Sequence, residues 1–308
     1  MVLKILFVLN SLLWSPLLAA AIDVQKTIAE KTTEFRYQWP PEPELSFQLD
    51  NADIKAQSGS NRRYSTELAD QHIRHQVLLA AVKLQKRGVR VQMSPKNLPF
   101  RVTVRGDDAG QVEKVQQQLQ QAQQQAYDNY LKRDFYYLMK SPTGEQFVIP
   151  DHVRVMQQSR PALQSISNAF VDLYGKNNIR QISGKISEWV QQIPYQDLSD
   201  RQGSAGSGYS PPLKLLVEHG GDCDSKAVLY AAILQNIFPK NSIGILYFPD
   251  HAVVAAQIPP LEHELTVTLQ GITYLVVDPT GPAPTKLGTL AQKYQTYLTN
   301  RQFTHRLF

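Results

Sequence analysis

The chain has 308 residues, 42% of them hydrophobic, enough to bury a sizeable core in one or two domains. Its formal charge of +5 is small for this size and its basic residues are spread out, which sets nucleic-acid binding aside as a function class. A single cysteine, Cys223, excludes any intramolecular disulfide.

The N-terminus reads MVLKILFVLNSLLWSPLLAAA. One early positive charge, Lys4, precedes an apolar run broken by Asn10, Ser11 and Pro16, and Ala19 and Ala21 fit an A-x-A cleavage site. This is the pattern of a secretory signal peptide over residues 1–21. The run is too short and interrupted for the roughly 20 apolar residues that a membrane span needs. The expectation is a periplasmic or secreted protein with no stable membrane span once the segment is cleaved. In such an oxidising compartment a lone thiol is a liability, so its surroundings carry weight.

Residues 22–148 read as a small α/β domain. EFRYQW and LSFQLD alternate apolar and polar residues, as half-buried strands do, with Pro40, Pro41 and Pro43 between them. AQSGSNRR reads as a loop, with NRR at its solvated end. Ser65 or Thr66 caps a helix carrying Leu68, Ile73, Val77, Ala80 and Leu84, which Gly88 ends. VRVQM and FRVTVRG follow as two strands joined by SPKNLP. Asp107 or Asp108 then starts a long helix with Val112, Val115, Leu119, Ala122 and Ala126 on one face. Its glutamine run is the solvated face of that helix. His72 and His75 lie on the first helix without a cysteine or carboxylate grouping, as a partly buried helical face would place them. No chemical motif is present, so the domain's role is open, with partner binding as one candidate.

SPTGEQFVIP reads as the boundary with a second domain over residues 149–308. Helices are expected over 152–174 and 179–192, then a flexible loop, GSAGSGYSPP, placed to lie over a cleft. SIGILYF, HAVVAAQI, ELTVTLQ and ITYLVVD are four consecutive strands, the last two joined by a tight turn at Gln270 and Gly271. Helices followed by an antiparallel sheet make an α+β fold.

Cys223 stands between these halves, in EHGGDCDSKAVLYAAIL. Gly220 and Gly221 let the backbone turn, Asp222 suits a helix cap, and Ala227, Tyr230, Ala231, Leu234 and Ile237 mark a buried helical face. The cysteine therefore opens a helix, where the dipole and free amides favour a thiolate and can hold an oxyanion. A nucleophilic thiolate needs a base, and the base an orienting acid. His251 opens a strand and Asp278 ends one. His219, four residues before the cysteine, is the runner-up base, and Lys226 is expected to point to solvent.

The set GGDCDSKAVLYAAIL, HAVVAAQI and YLVVDPTGP resembles the transglutaminase-like superfamily of papain-like Cys-His-Asp enzymes. Its bacterial cysteine proteinase branch is the nearest in pattern, over roughly residues 150–300. Position by position, the resemblance implies a triad of Cys223, His251 and Asp278. It implies a papain-like or transglutaminase-like core, a cysteine helix packed on an antiparallel sheet. One departure is Val253, where many relatives carry an aromatic after His-Ala. The implied activity is an exported cysteine peptidase or amidase acting on a protein or peptide substrate through a thioester, with no cofactor required. In the same branch acidic residues beside the cysteine take part in calcium binding, which makes Asp222 and Asp224 calcium candidates alongside their capping roles. Acyl transfer to an amine and a non-enzymatic interaction role on the same fold stay open.

Overall fold

The computed structural model describes residues 22–60, 64–84, 88–96, 98–198, 208–281 and 283–308. The expected signal segment, the NRR stretch and residues 203–207 of the expected cleft loop lie outside these.

The first strands, β1 (Asp23–Ile28), β2 (Thr32–Gln38) and β3 (Leu45–Asp50), form an antiparallel sheet in that order. Alternation puts Phe35, Tyr37, Leu45, Phe47 and Leu49 on one buried face, with Phe35 and Tyr37 stacked on Phe47 at 5.4 and 5.8 Å. The stretch expected as a loop begins as a helix, α1 (Asn51–Ser60). It has no apolar periodicity, and tertiary contacts hold it: Gln57 donates to Ser159 Oγ at 2.8 Å and accepts from Leu213 N at 3.0 Å.

Next come α2 (Thr66–Leu84), β4 (Val89–Met93), β5 (Val102–Gly106) and α3 (Ala109–Arg133). The two long helices lie together over the β4–β5 hairpin with a core of their own, centred on Val77, Val89, Val115 and Leu119. Asp108 caps α3 by accepting from Gly110 N and Gln111 N. His72 is half-buried, its ring 5.7 Å from that of Tyr130.

The expected boundary SPTGEQFVIP is the turn and second strand of a hairpin, β6 (Tyr136–Lys140) and β7 (Gln146–Pro150). The helix expected over 152–174 is two, α4 (His152–Ser159) and α5 (Gln164–Tyr174), because Pro161 has no N–H to continue the ladder. After them come α6 (Ile179–Gln192), α7 (Pro212–Glu218) and α8 (Cys223–Ile237). The chain ends in β8 (Ile243–Phe248), β9 (His251–Ala256), β10 (Thr266–Leu269), β11 (Ile272–Val277), α9 (Gln292–Thr299) and β12 (Thr304–Leu307).

These last strands form one antiparallel sheet in the order β10-β11-β9-β8-β12. Gln270 and Gly271 turn between β10 and β11 with φ of +50° and +81°, the conformation a two-residue hairpin asks for. At Gly244 of β8 a Cβ would fall 2.6 Å from Arg306 O, so glycine lets β12 approach. Ile243, Ile245, Ala252, Val254, Leu275 and Val277 belong to the core that holds α8, and Leu246, Phe248, Val253, Tyr274 and Val276 to a smaller one with Leu298 of α9. Contacts to α4, α5, α6, α7, β8 and β9 surround α8, which is why residues 225–235 are all buried. The architecture is mixed, α+β, as the element order implied.

The core does not divide at residue 148. The aromatic face of β2–β3 joins the same core as α5, α6 and α8, with Trp189 of α6 edge-on to Tyr37 at 5.3 Å and to Phe47 at 6.1 Å. The expected 22–148 unit is thus split between a sheet sharing this core and the α2–α3 layer with its own.

Candidate active site at the start of helix α8

The approach to α8 is built from close contacts. His219, not a glycine, takes the left-handed turn that ends α7, with φ +52° and its N–H returned to Leu215 O. The glycines are needed for space: a Cβ on Gly221 would fall 2.6 Å from Leu215 Cδ1, and one on Gly220 2.9 Å from Gln196 Oε1. The segment after α6 runs beside them, with Gln196 N donating to Gly221 O at 3.1 Å and Gly221 N to Pro194 O at 3.3 Å. Asp222 is the cap, its Oδ1 accepting from Ser225 N at 3.3 Å, and Asp224 Oδ1 accepts from the same N–H at 2.8 Å. Cys223 is the first helical residue and is partly exposed.

His251 and Asp278 come to the same place from adjacent strands. His251 Nε2 lies 2.9 Å from Asp278 Oδ2, and Asp278 Oδ1 accepts from Thr280 N at 3.0 Å. The acceptor-only carboxylate assigns the neutral ring's proton to Nε2 and leaves Nδ1 as the basic nitrogen. Burial alone would raise the Asp278 carboxyl, but the hydrogen bond and charge of His251 and the Thr280 N–H carry it below its ordinary value. The Cys223 sulfur lies near the beginning of β9, where the amides of Ala252, the residue after His251, and of Asp224 act to lower its pKa. The three residues named from the sequence are therefore gathered at one end of the helix–sheet contact.

The thiol's electrostatics run against the expectation of a thiolate. Burial raises its pKa first, and the Asp224 and Asp222 carboxylates raise it further. The two amides act in the other direction and do not compensate, so the thiol is held well above its ordinary value. Helix-start amides favour an anion, but here two carboxylates share that space.

Behind the cysteine lies a buried acid pair with a histidine. Burial, then the neighbouring Asp224, pushes Asp222 up to about 9, so the pair keeps a proton at neutral pH. His152 is fully enclosed, its pKa lowered to about 4 by burial, with Nδ1 2.8 Å from Tyr247 OH. Its Nε2 is 2.9 Å from Asp224 Oδ2 yet off the line of a hydrogen bond, so this contact is one of proximity only. Calcium asks for six or more oxygens. Here one oxygen of each aspartate caps the helix, a second faces an imidazole, and among the described residues no group of three or more acidic, histidine or cysteine side chains is arranged to hold a metal. These residues do not fit calcium as they stand.

His219, the runner-up base, faces the first sheet, its ring 6.0 Å from that of Tyr37. Lys226 corrects the expectation of a solvent-directed side chain: it is fully buried, and its ammonium donates to Ile193 O and Thr280 O. One cation thereby joins the cysteine helix, the segment that flanks Gly221 and the turn after Asp278. A lone basic residue directly before the apolar run from Ala227 was the available signal for this. Tyr294 of α9 also belongs here, stacked on His251 with centroids 4.3 Å apart and planes 17° apart, and nothing in its local sequence announces it. Among the described residues no helix is long and apolar enough to cross a membrane. No family model, curated protein or solved structure matches this chain.

Proposed function

We propose that the chain is an exported cysteine peptidase or amidase, acting on a protein or peptide substrate through Cys223, His251 and Asp278 on a papain-like core. One observation carries the reading. His251 is bonded through Nε2 to Asp278, leaving Nδ1 free, at the strand start whose next amide acts on the Cys223 thiol.

In this mechanism the resting thiol is protonated, and His251 Nδ1 takes its proton as the sulfur attacks the substrate carbonyl. A C–S bond forms and the carbonyl electron pair moves to oxygen, where the Cys223 amide at the start of α8 stabilises it. Collapse breaks the C–N bond, and the leaving amine takes the proton from His251. Water, deprotonated by the same imidazole, then attacks the thioester to give the acid and restore the thiol. Asp278 holds the tautomer and balances the imidazolium throughout. An amine in place of water gives acyl transfer by the same first half-reaction.

The raised thiol favours a second reading, a non-enzymatic interaction module on the same fold. Iodoacetamide labelling near pH 6, with and without denaturant, separates the two. The enzymatic reading expects Cys223 to react in the folded protein, more slowly in His251→Ala, and expects Cys223→Ala to abolish cleavage of exported proteins by mass spectrometry. A thiol silent until unfolding refutes it. New termini mean hydrolysis, and amine incorporation means transfer.

A further inference from the structure

We infer that Tyr294 is a positioning residue for His251, a role that rests on the catalytic reading above. An imidazole bonded through one nitrogen can still turn about its χ2 axis, opposed only by that bond. Such a turn re-aims Nδ1 and weakens the bond to Asp278. The ring of Tyr294 closes one face of the imidazole, 4.3 Å away and inclined by 17°. The ring of Phe248 lies 5.9 Å from that of Tyr294 at 6°, so Tyr294 stacks on both. Phe248 and His251 are themselves cross-strand partners at the β8–β9 turn, which makes the stack part of the sheet.

The helix bearing Tyr294 is fastened at the same turn. Lys293 Nζ donates to Asp250, the residue before His251, and lies 5.8 Å from the Tyr294 ring and 5.9 Å from the Tyr297 ring. That ion pair is half exposed and worth little by itself, so buried Leu298 and the ring stack carry the attachment. The Tyr294 hydroxyl is within electrostatic reach of Asp250, Lys293, Asp278 and Cys223, so the ring stands beside all three residues of the site. Stacking thus fixes the imidazole plane and keeps water off the bond that sets its tautomer. The ring does this work, and the hydroxyl is dispensable.

Two measurements on the full chain test the role. The first is the iodoacetamide rate of native Cys223. Tyr294→Ala is expected to slow it about tenfold, as a misoriented base does, and Tyr294→Phe to restore it. In an Asp278→Ala background the Tyr294→Ala effect is expected to vanish, because nothing remains to align. A Tyr294→Ala protein that labels at the parent rate, a Tyr294→Phe protein as slow as Tyr294→Ala, or an undiminished effect beside Asp278→Ala overturns the inference. The second is the proton NMR signal of His251 Nε2–H, assigned by its loss in His251→Ala. It is expected to exchange rapidly with water in Tyr294→Ala and to stay protected in Tyr294→Phe. This signal is independent of thiol reactivity. If His251→Ala leaves labelling unchanged, the catalytic reading falls, and equal protection in Tyr294→Ala and the parent then overturns the positioning role as well.

Discussion

Replacing Lys226 with methionine removes a buried charge, and its signature is a slope in pH. Burial lowers the pKa of Lys226 from 10.5 to about 8, against the pull of Asp278 and Asp222. At about 1.4 kcal/mol per pH unit, that separation corresponds to about 3 kcal/mol. The folded protein releases the proton near pH 8, while the unfolded chain holds it until 10.5. Between these values the unfolded state binds more protons, so this group makes stability rise with pH, and below 8 its cost is fully present. The buried tyrosines and the Cys223 thiol also titrate in the alkaline range, but they are common to both proteins and cancel in the difference. At pH 7 the substitution relieves the buried charge and leaves the carbonyls of Ile193 and Thr280 unpaired, at about 1–3 kcal/mol each, so the two effects roughly offset. Urea unfolding followed by the fluorescence of buried Trp39 and Trp189 reads this directly. The parent is expected to gain about 3 kcal/mol on Lys226→Met between pH 8 and 10.5. A flat difference, or one that falls with pH, refutes the assignment of a charged ammonium to this interior site.

Asp224→Asn keeps an acceptor for Ser225 N and removes the first of the two carboxylates opposing the thiolate, so Cys223 is expected to label faster at a given pH. Labelling rates between pH 6 and 10 check this. Trp189→Ala opens a cavity where the first sheet meets α5 and α6, and a loss of about 3–5 kcal/mol is expected in urea unfolding.

The order cysteine, histidine, aspartate was legible because each sits at an element boundary with a local signature. Asp222 is a cap, and His251 and Asp278 flank strands whose apolar runs are plain. What escaped the sequence lies at long range. α1 has no periodicity and depends on Gln57 reaching Ser159 and Leu213. The β6–β7 hairpin was read as a boundary because its turn, Ser141 to Glu145, carries the polar residues of a linker. The single core linking Tyr37 and Phe47 to Trp189 joins residues with no shared pattern. The thiol's protonation was misread for the same reason. A helix start is visible in a motif, whereas the burial and the carboxyl directions that oppose it arise only on folding.

The aromatic face of β2 and β3 has a consequence for how the chain is made. Its cover comes from far ahead: Ser165 bonds to Gln48 across 117 positions, and Lys185 reaches Glu42 across 143. During synthesis Phe35, Tyr37 and Phe47 therefore emerge long before α5 and α6 exist to cover them. Such late closure slows folding and lengthens the time an apolar sheet stands open. A growing chain of this design carries an uncovered aromatic face before any part of the cysteine helix has been made.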